Sequence, residues 1–307
     1  MLIVDQTGFL KKGTKFAGVA RQYSGTAGRV ENSQIGVFVA YKTTRGCAFV
    51  DRKLYLPKVW TNNSTRCREG GIPEHIAFAT KPELARRMIR EAIQAGVPAK
   101  WVTADAVYGN DSRFRRMLED EGLDYVVAVS STQRIWVEFE QVRVKQLVAT
   151  LPATEWKRIS CGDGTKGKRF YDWAFIPFPF PTEGGQYKGV LCRRSIEKTP
   201  KEAYYLCGFR PETSLNELVQ VAGTRWAIES GFEQCKQEVG LNHYEVRTWV
   251  GWYRHITLAL MAHAFLEVLR SESRREPEKK RGRRLPSLYH YRSRNTCIAG
   301  AVRTGAW

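Results

Sequence analysis

LNELVQVAGTRWAIESGFEQCKQEV, residues 215–239, is the stretch on which the reading of this chain turns. On a wheel at about 100° per residue, Leu215, Leu218, Val219, Val221, Ala222, Trp226, Ile228, Phe232 and Val239 share one broad face. Asn216, Gln220, Thr224, Ser230, Gln234 and Glu238 fill the other. The spacing predicts a helix, with Gly223 and Gly231 as places where it can bend. Arg225, Glu229 and Lys236 break the apolar face, stacked along one line at i, i+4 and i+11. Charges buried there are costly unless they are paired or bind something. An internal Arg225–Glu229 ion pair, with Lys236 snorkelling outward, is one outcome. A carboxylate for a metal ion and two cations for phosphates is the other, and it uses all three.

Working outward, Leu2 to Val4 is a short β-prone run that ends at Asp5 and enters a turn-rich stretch through Gly13. Ile35–Tyr41 and Cys47–Tyr55 alternate as strands joined at hairpin length by residues 43–46, so the chain opens with about three antiparallel strands. Lys81–Ala95 has helical spacing, with Pro82 in its first turn and Gly96 past its end. Trp101–Ala104 is a strand that ends at Asp105. A helix over Asn110–Glu121 and a strand over Tyr125–Val129 follow. That order predicts a mixed α/β sheet. Strand-like runs then dominate from Ser130 to Arg210, and helical spacing returns at 215–239 and at Trp252–Arg270. The expected organisation is a core in two parts, 1–129 and 211–270, interrupted by a β-rich insertion at 130–210. A basic tail over 271–307 has no clear period and reads as disordered.

Composition narrows the partners. The 307 residues include 49 Lys and Arg against 31 Asp and Glu, a net charge of +18, which favours a polyanion. No apolar run of about 18 residues is present to span a bilayer, and no basic amphipathic helix dominates, which makes a membrane surface the weaker partner. Seven cysteines, odd in number and without a CxxC pair, indicate neither a zinc site nor a disulfide framework, and fit reduced thiols in the cytoplasm. His243, His255 and His263 lack metal-ligand spacing. Asp5 and Asp105 each follow a strand, where α/β enzymes place site groups, although an Asp there commonly just caps a turn.

Arg225-x3-Glu229-x6-Lys236, together with Val4-Asp5-x-Thr7-Gly8-Phe9-x-Lys11-Lys12-Gly13, Ala104-Asp105-x-x-Tyr108-Gly109 and the Tyr244–Leu258 segment, resembles bacterial insertion-sequence transposases of the DDE superfamily. The resemblance is to the branch with a Tyr-x2-Arg-x3-Glu-x6-Lys signature, although Ala222 stands at the Tyr position. It covers about residues 2–270. It implies a ribonuclease-H-like mixed sheet flanked by helices and interrupted by a β-rich insertion. It also implies Asp5, Asp105 and Glu229 as the catalytic, metal-holding carboxylates, with two Mg²⁺ ions, or Mn²⁺ in their place. Arg225, Lys236, Lys11 and Lys12 are the expected phosphate-binding cations; separately, Trp136, which follows Arg134 where the β-rich stretch begins, is either a candidate for base stacking or a strand Trp packed in a small β core. The implied partners are double-stranded DNA, as transposon ends and target, and a second copy of the chain in a paired-end complex near the nucleoid. The start only four residues before Asp5 suggests a truncated copy. An inactive DNA-binding derivative and a nuclease without strand transfer stay open as alternatives.

Overall fold

The structure is a computed structural model that describes residues 1–137, 140–164, 167–182 and 184–273. Its first strand, β1 (Leu2–Leu10), is longer than the pattern suggests. The stretch from Thr7 to Leu10, read as a turn, continues the strand because it pairs along its whole length with β3 (Arg29–Lys42), from Leu2 opposite Tyr41 to Leu10 opposite Ser33. Asp5 therefore lies within a strand and not after one. β3 also pairs with β2 (Ala20–Ser24), which the pattern does not mark, and with β4 (Cys47–Tyr55), as expected.

Two short helices, α1 (Lys58–Thr61) and α2 (Ser64–Glu69), lead to α3 (Lys81–Gln94). Thr80 caps α3 by accepting the Glu83 N–H, and the apolar face Leu84, Ala85, Met88, Ile89 and Ala92 is buried as its spacing requires. β5 (Trp101–Ala104) then enters parallel to β1, with Val4 opposite Ala104. α4 (Ala106–Gly109) and α5 (Ser112–Asp120) return the chain to β6 (Asp124–Val129), parallel to β5. The order β4-β3-β1-β5-β6, antiparallel then parallel, is the expected ribonuclease-H-like mixed sheet flanked by helices.

The β-rich stretch is present, and most of it is carried on that same sheet. β7 (Arg134–Val137) and β8 (Glu140–Arg143) form a separate hairpin, followed by α6 (Val144–Ala149). β9 (Lys157–Gly164), β10 (Gly167–Pro177), β11 (Tyr187–Arg194) and β12 (Glu202–Phe209) then form an antiparallel meander. β12 pairs antiparallel with β6, from Tyr204 opposite Val129 to Gly208 opposite Tyr125, which extends the sheet to ten strands.

The predicted helix over 215–239 is split at Arg225 into α7 (Leu215–Thr224) and α8 (Trp226–Glu238). The split follows from what the two halves bury. Leu218, Val219 and Val221 pack with Trp173, Leu191 and Cys161 of the meander. Ile228 and Phe232 pack with Ile3, Phe38, Phe49 and Trp252 on the core sheet and α9 (Trp249–Ser273). On β1, Leu2 and Val4 face the α3 and α5 side while Ile3 faces α8. The period of two therefore turns Asp5 toward α8. Of the expected 271–307 tail, residues 271–273 end α9 and the rest lies outside the described residues.

Gly223 sets the distance between α7 and the meander, because a Cβ there would stand 2.2 Å from the Cys161 carbonyl oxygen. In an open helix a Gly→Ala change stabilises by about 1 kcal/mol. At Gly223 the sign reverses: Gly223→Ala is expected to destabilise by about 1–3 kcal/mol through overpacking. Urea unfolding of the variant beside wild type measures it.

Candidate active site

The parallel register of β1 and β5 brings two carboxylates together. With Val4 opposite Ala104, the next residues, Asp5 and Asp105, fall side by side on adjacent strands. Asp105 follows β5 directly and caps α4, accepting the Val107 N–H at 2.9 Å. The Tyr108-Gly109 pair that follows has a packing reason. Tyr108 is fully buried and its hydroxyl lies 3.4 Å from Gln6 Oε1, beside Asp5. A Cβ at Gly109 would strike the Ala128 carbonyl oxygen of β6 at 1.9 Å, so α4 can sit against the sheet only with glycine there.

α8 brings the third acidic side chain. Arg225, at the junction of α7 and α8, donates from Nη1 to Asp5 Oδ2 at 3.1 Å, while its Nη2 lies 2.6 Å from Glu229 Oε1. One guanidinium thus bridges a carboxylate of β1 and a carboxylate of α8. Among the described residues no three His, Cys, Asp or Glu side chains stand in a group that could hold a metal ion. Arg225 occupies the space between Asp5 and Glu229. The expectation that all three charges are sunk in an apolar stripe needs correction. The Glu229 side chain is 45% exposed and Trp226 is also exposed, because α8 turns that edge away from Phe232 and Ile228.

Burial is the largest influence on Asp5, and the charge of Asp105 adds to it. Against the opposing pull of Arg225 and a hydrogen bond from the Gln6 N–H, they raise its pKa from 3.8 to about 7. Asp105 is shifted upward too, first by burial, with the Val107 N–H and Arg225 opposing. Burial works against the charged form of Arg225, but Glu229, Asp5 and Asp105 outweigh it and its pKa rises. By their chemistry the donors suit a hard divalent cation: they are carboxylate oxygens, and the charge of Asp105 opposes the ionisation of Asp5.

The remaining expected residues scatter. Lys236 reaches β1 further along the face that carries Asp5, donating to Thr7 Oγ1 at 2.8 Å and Thr26 Oγ1 at 3.2 Å, and burial lowers its pKa. Lys12 is exposed in the loop after β1. Lys11 departs from the phosphate-binding expectation. It is 7% exposed, donates to the Tyr244 carbonyl oxygen, and its ammonium stands 3.7 Å from the centroid of the Tyr244 ring. That aromatic packing commits its charge to the interior. The Tyr244 hydroxyl in turn donates to Gln34 and accepts from Trp252, so Tyr244, Trp252 and Ile256 of the Tyr244–Leu258 motif are core while Glu245–Thr248, Val250, Arg254 and Leu258 stay exposed. Trp136 is 65% exposed on the β7–β8 hairpin, not packed into a small β core. Ala222, at the signature's Tyr position, is buried among the meander residues. The sequence reading misses Lys81, at the start of α3, whose ammonium lies within electrostatic reach of Asp105 and Asp5.

A mixed ribonuclease-H-like sheet with two acidic residues following register partners on adjacent parallel strands agrees with the family comparisons. The family profile described as "Transposase DDE domain" matches residues 79–265, and the one described as "DDE superfamily endonuclease" matches residues 1–149. The chain belongs to the transposase DDE domain family. It is 28% identical over 262 residues to the "Probable transposase for insertion sequence element IS701" of Microchaete diplosiphon, covering 82% of this chain and 63% of that relative. The C-terminal lobe of a budding yeast Argonaute overlaps 90% of this chain and 49% of its own length at 11% identity. Its TM-score of 0.22 carries no argument. No described helix is long and apolar enough to cross a membrane.

The raised pKa of Asp5 has a sign in stability. A folded-state value of about 7 against 3.8 when unfolded means the folded chain holds the proton more tightly. Stability from this group is full below about pH 4 and is lost as pH rises toward 7. Asp5→Asn, in chelator, is therefore expected to raise the melting temperature at pH 8 and to leave it unchanged near pH 4. At about 1.4 kcal/mol per pKa unit, the gain at pH 8 is on the order of 2–4 kcal/mol. Thermal melts across that pH range measure it.

Proposed function

We propose that this chain is the catalytic part of a DNA transposase, cutting and joining phosphodiesters at the ends of an insertion sequence. The observation that carries the reading is the juxtaposition of Asp5 and Asp105 by the β1–β5 register, tied to Glu229 through Arg225. In this reading Asp5, Asp105 and Glu229 hold divalent metal, two Mg²⁺ ions or Mn²⁺ in their place. When bound, the metal supplies Lewis acidity for the charge on the phosphorus and on the leaving 3′-oxygen.

The chain's own side chains do the rest. Arg225 is charge-neutralised by carboxylates when DNA is absent, and it exchanges Glu229 for a phosphate of the bound strand, which its planar fork suits. Lys236, held on the hydroxyls of Thr7 and Thr26, meets a phosphate on the other side of Asp5. Lys12 adds charge in the loop beyond β1, and Trp136 offers an exposed ring on which an unpaired base can stack. The partner is double-stranded DNA, as element ends and target, drawn by the net charge of +18. The acting form is a dimer on paired ends in the bacterial cytoplasm, as the resemblance implies.

Nicking of DNA carrying the element's ends, with Mg²⁺ or Mn²⁺ present, tests this. Asp105→Asn and Glu229→Gln are each expected to lower the rate by at least ~100-fold while the duplex still binds. Cleavage that survives either substitution removes the catalytic assignment. Binding without any nicking in wild type instead marks an inactive DNA-binding derivative.

A further inference from the structure

The carboxylate cluster has cations on both of its sides, and the reading so far uses those of one side. Arg225 and Lys236 come from α8, which packs on the face of the sheet that Ile3 faces. Lys81 comes from the opposite layer. It opens α3, directly after the Thr80 cap, and α3 buries its apolar face with Leu2, Val4 and Ala104, the residues that alternate with or precede the two aspartates. From that layer its charge is felt by both Asp105 and Asp5, at the central strands β5 and β1.

Lys81 forms no ion pair with any described residue. Its close neighbour is the Tyr55 ring, with the ammonium 5.5 Å from the centroid. The side chain is half-buried, and burial lowers its pKa while Asp105 and Asp5 oppose that shift. A desolvated ammonium with an aromatic wall on one side and no direct counter-ion is poised to accept an anion. The anion that fits is one already held near the carboxylates. The phosphodiester of a strand lying across them meets the requirement.

We propose that Lys81 is a DNA-contacting residue that holds a backbone phosphate of the strand crossing Asp5 and Asp105, from the side opposite Arg225. The aspartates then have a cation beside them from each helical layer, Arg225 from one and Lys81 from the other. A strand bound there is fixed by contacts in both helical layers, which aligns its phosphorus over the aspartates. This role rests on the transposase reading given above, and it adds a positioning contact that the Arg-Glu-Lys spacing of α8 does not include.

The test separates a phosphate contact from a structural counter-ion. Binding of a short fluorescent duplex is measured by anisotropy across a salt series, for wild type, Lys81→Met and Lys81→Arg. Thermal melts of each variant are taken alongside. If Lys81 holds a phosphate, Lys81→Met lowers the slope of log K against log salt by about 1. The same variant raises KM for nicking about 10-fold, leaves the metal concentration for half-maximal rate unchanged, and is largely rescued in both respects by Lys81→Arg. An unchanged salt slope and KM overturn the proposal. So does an effect confined to melting temperature or metal dependence, which marks a counter-ion to the carboxylates. Because the salt slope is read without cleavage, it decides the role of Lys81 even if wild type fails to nick DNA. Failure of Glu229→Gln to abolish nicking falls on the transposase reading alone.

Discussion

Two carboxylates forced together by strand register are the constraint on which this molecule is organised. Once Val4 lies opposite Ala104, Asp5 and Asp105 have no choice but to be neighbours, buried and of like charge. Everything around them answers that repulsion. Asp105 takes a backbone N–H, Asp5 takes another, and Arg225 bridges Asp5 to Glu229. A structure built only for stability would keep Asp105 as the cap of α4 and place an uncharged residue at position 5. Keeping both is a standing cost that makes sense where a doubly charged cation relieves it, the trade of stability for function seen at strained sites generally.

The layers on the two faces of the sheet hold the site in different ways. On the α3 and α5 side, the contact is close and inflexible: Tyr108 is fully buried and Gly109 admits α4 within touching distance of β6. On the α8 side, Ile228 and Phe232 pack on the sheet, but the carboxylate strand itself is met by long side chains, the guanidinium of Arg225 and the ammonium of Lys236. The first arrangement fixes where Asp105 points. The second lets cations change partners without moving the backbone, because a long side chain reorients at the cost of rotamer freedom alone.

Much of this was legible in the sequence, and the gaps have physical causes. α3 and β5 were readable because local period and cap residues agree with tertiary burial there. β1 was read short because Thr7 and Gly8 look like turn residues, yet pairing with β3 overrides local preference. The wheel over 215–239 grouped the right residues but assumed one axis, whereas two separate cores capture its two halves. Arg225, Glu229 and Lys236 stood out by spacing alone. Lys81 did not, since a lysine in the first turn of a helix is ordinary until the fold reveals what lies above it. Lys11 misleads for the converse reason: one of two lysines in an apparent loop reads as free to meet phosphate or solvent, and only the packed ring of Tyr244 shows it to be interior.

The β6–β12 pairing has a bearing on the order in which the molecule comes into being. Asp5 and Asp105 are synthesised early, but α7 is seated on the meander, and the meander is hung on β6 by β12. The strand that closes this long loop must dock before Arg225 can reach Asp5. A nascent chain leaving the ribosome thus carries its two aspartates without their guanidinium partner until the C-terminal third has emerged. The carboxylate cluster acquires its cation only once both the meander and the α7–α8 junction are in place.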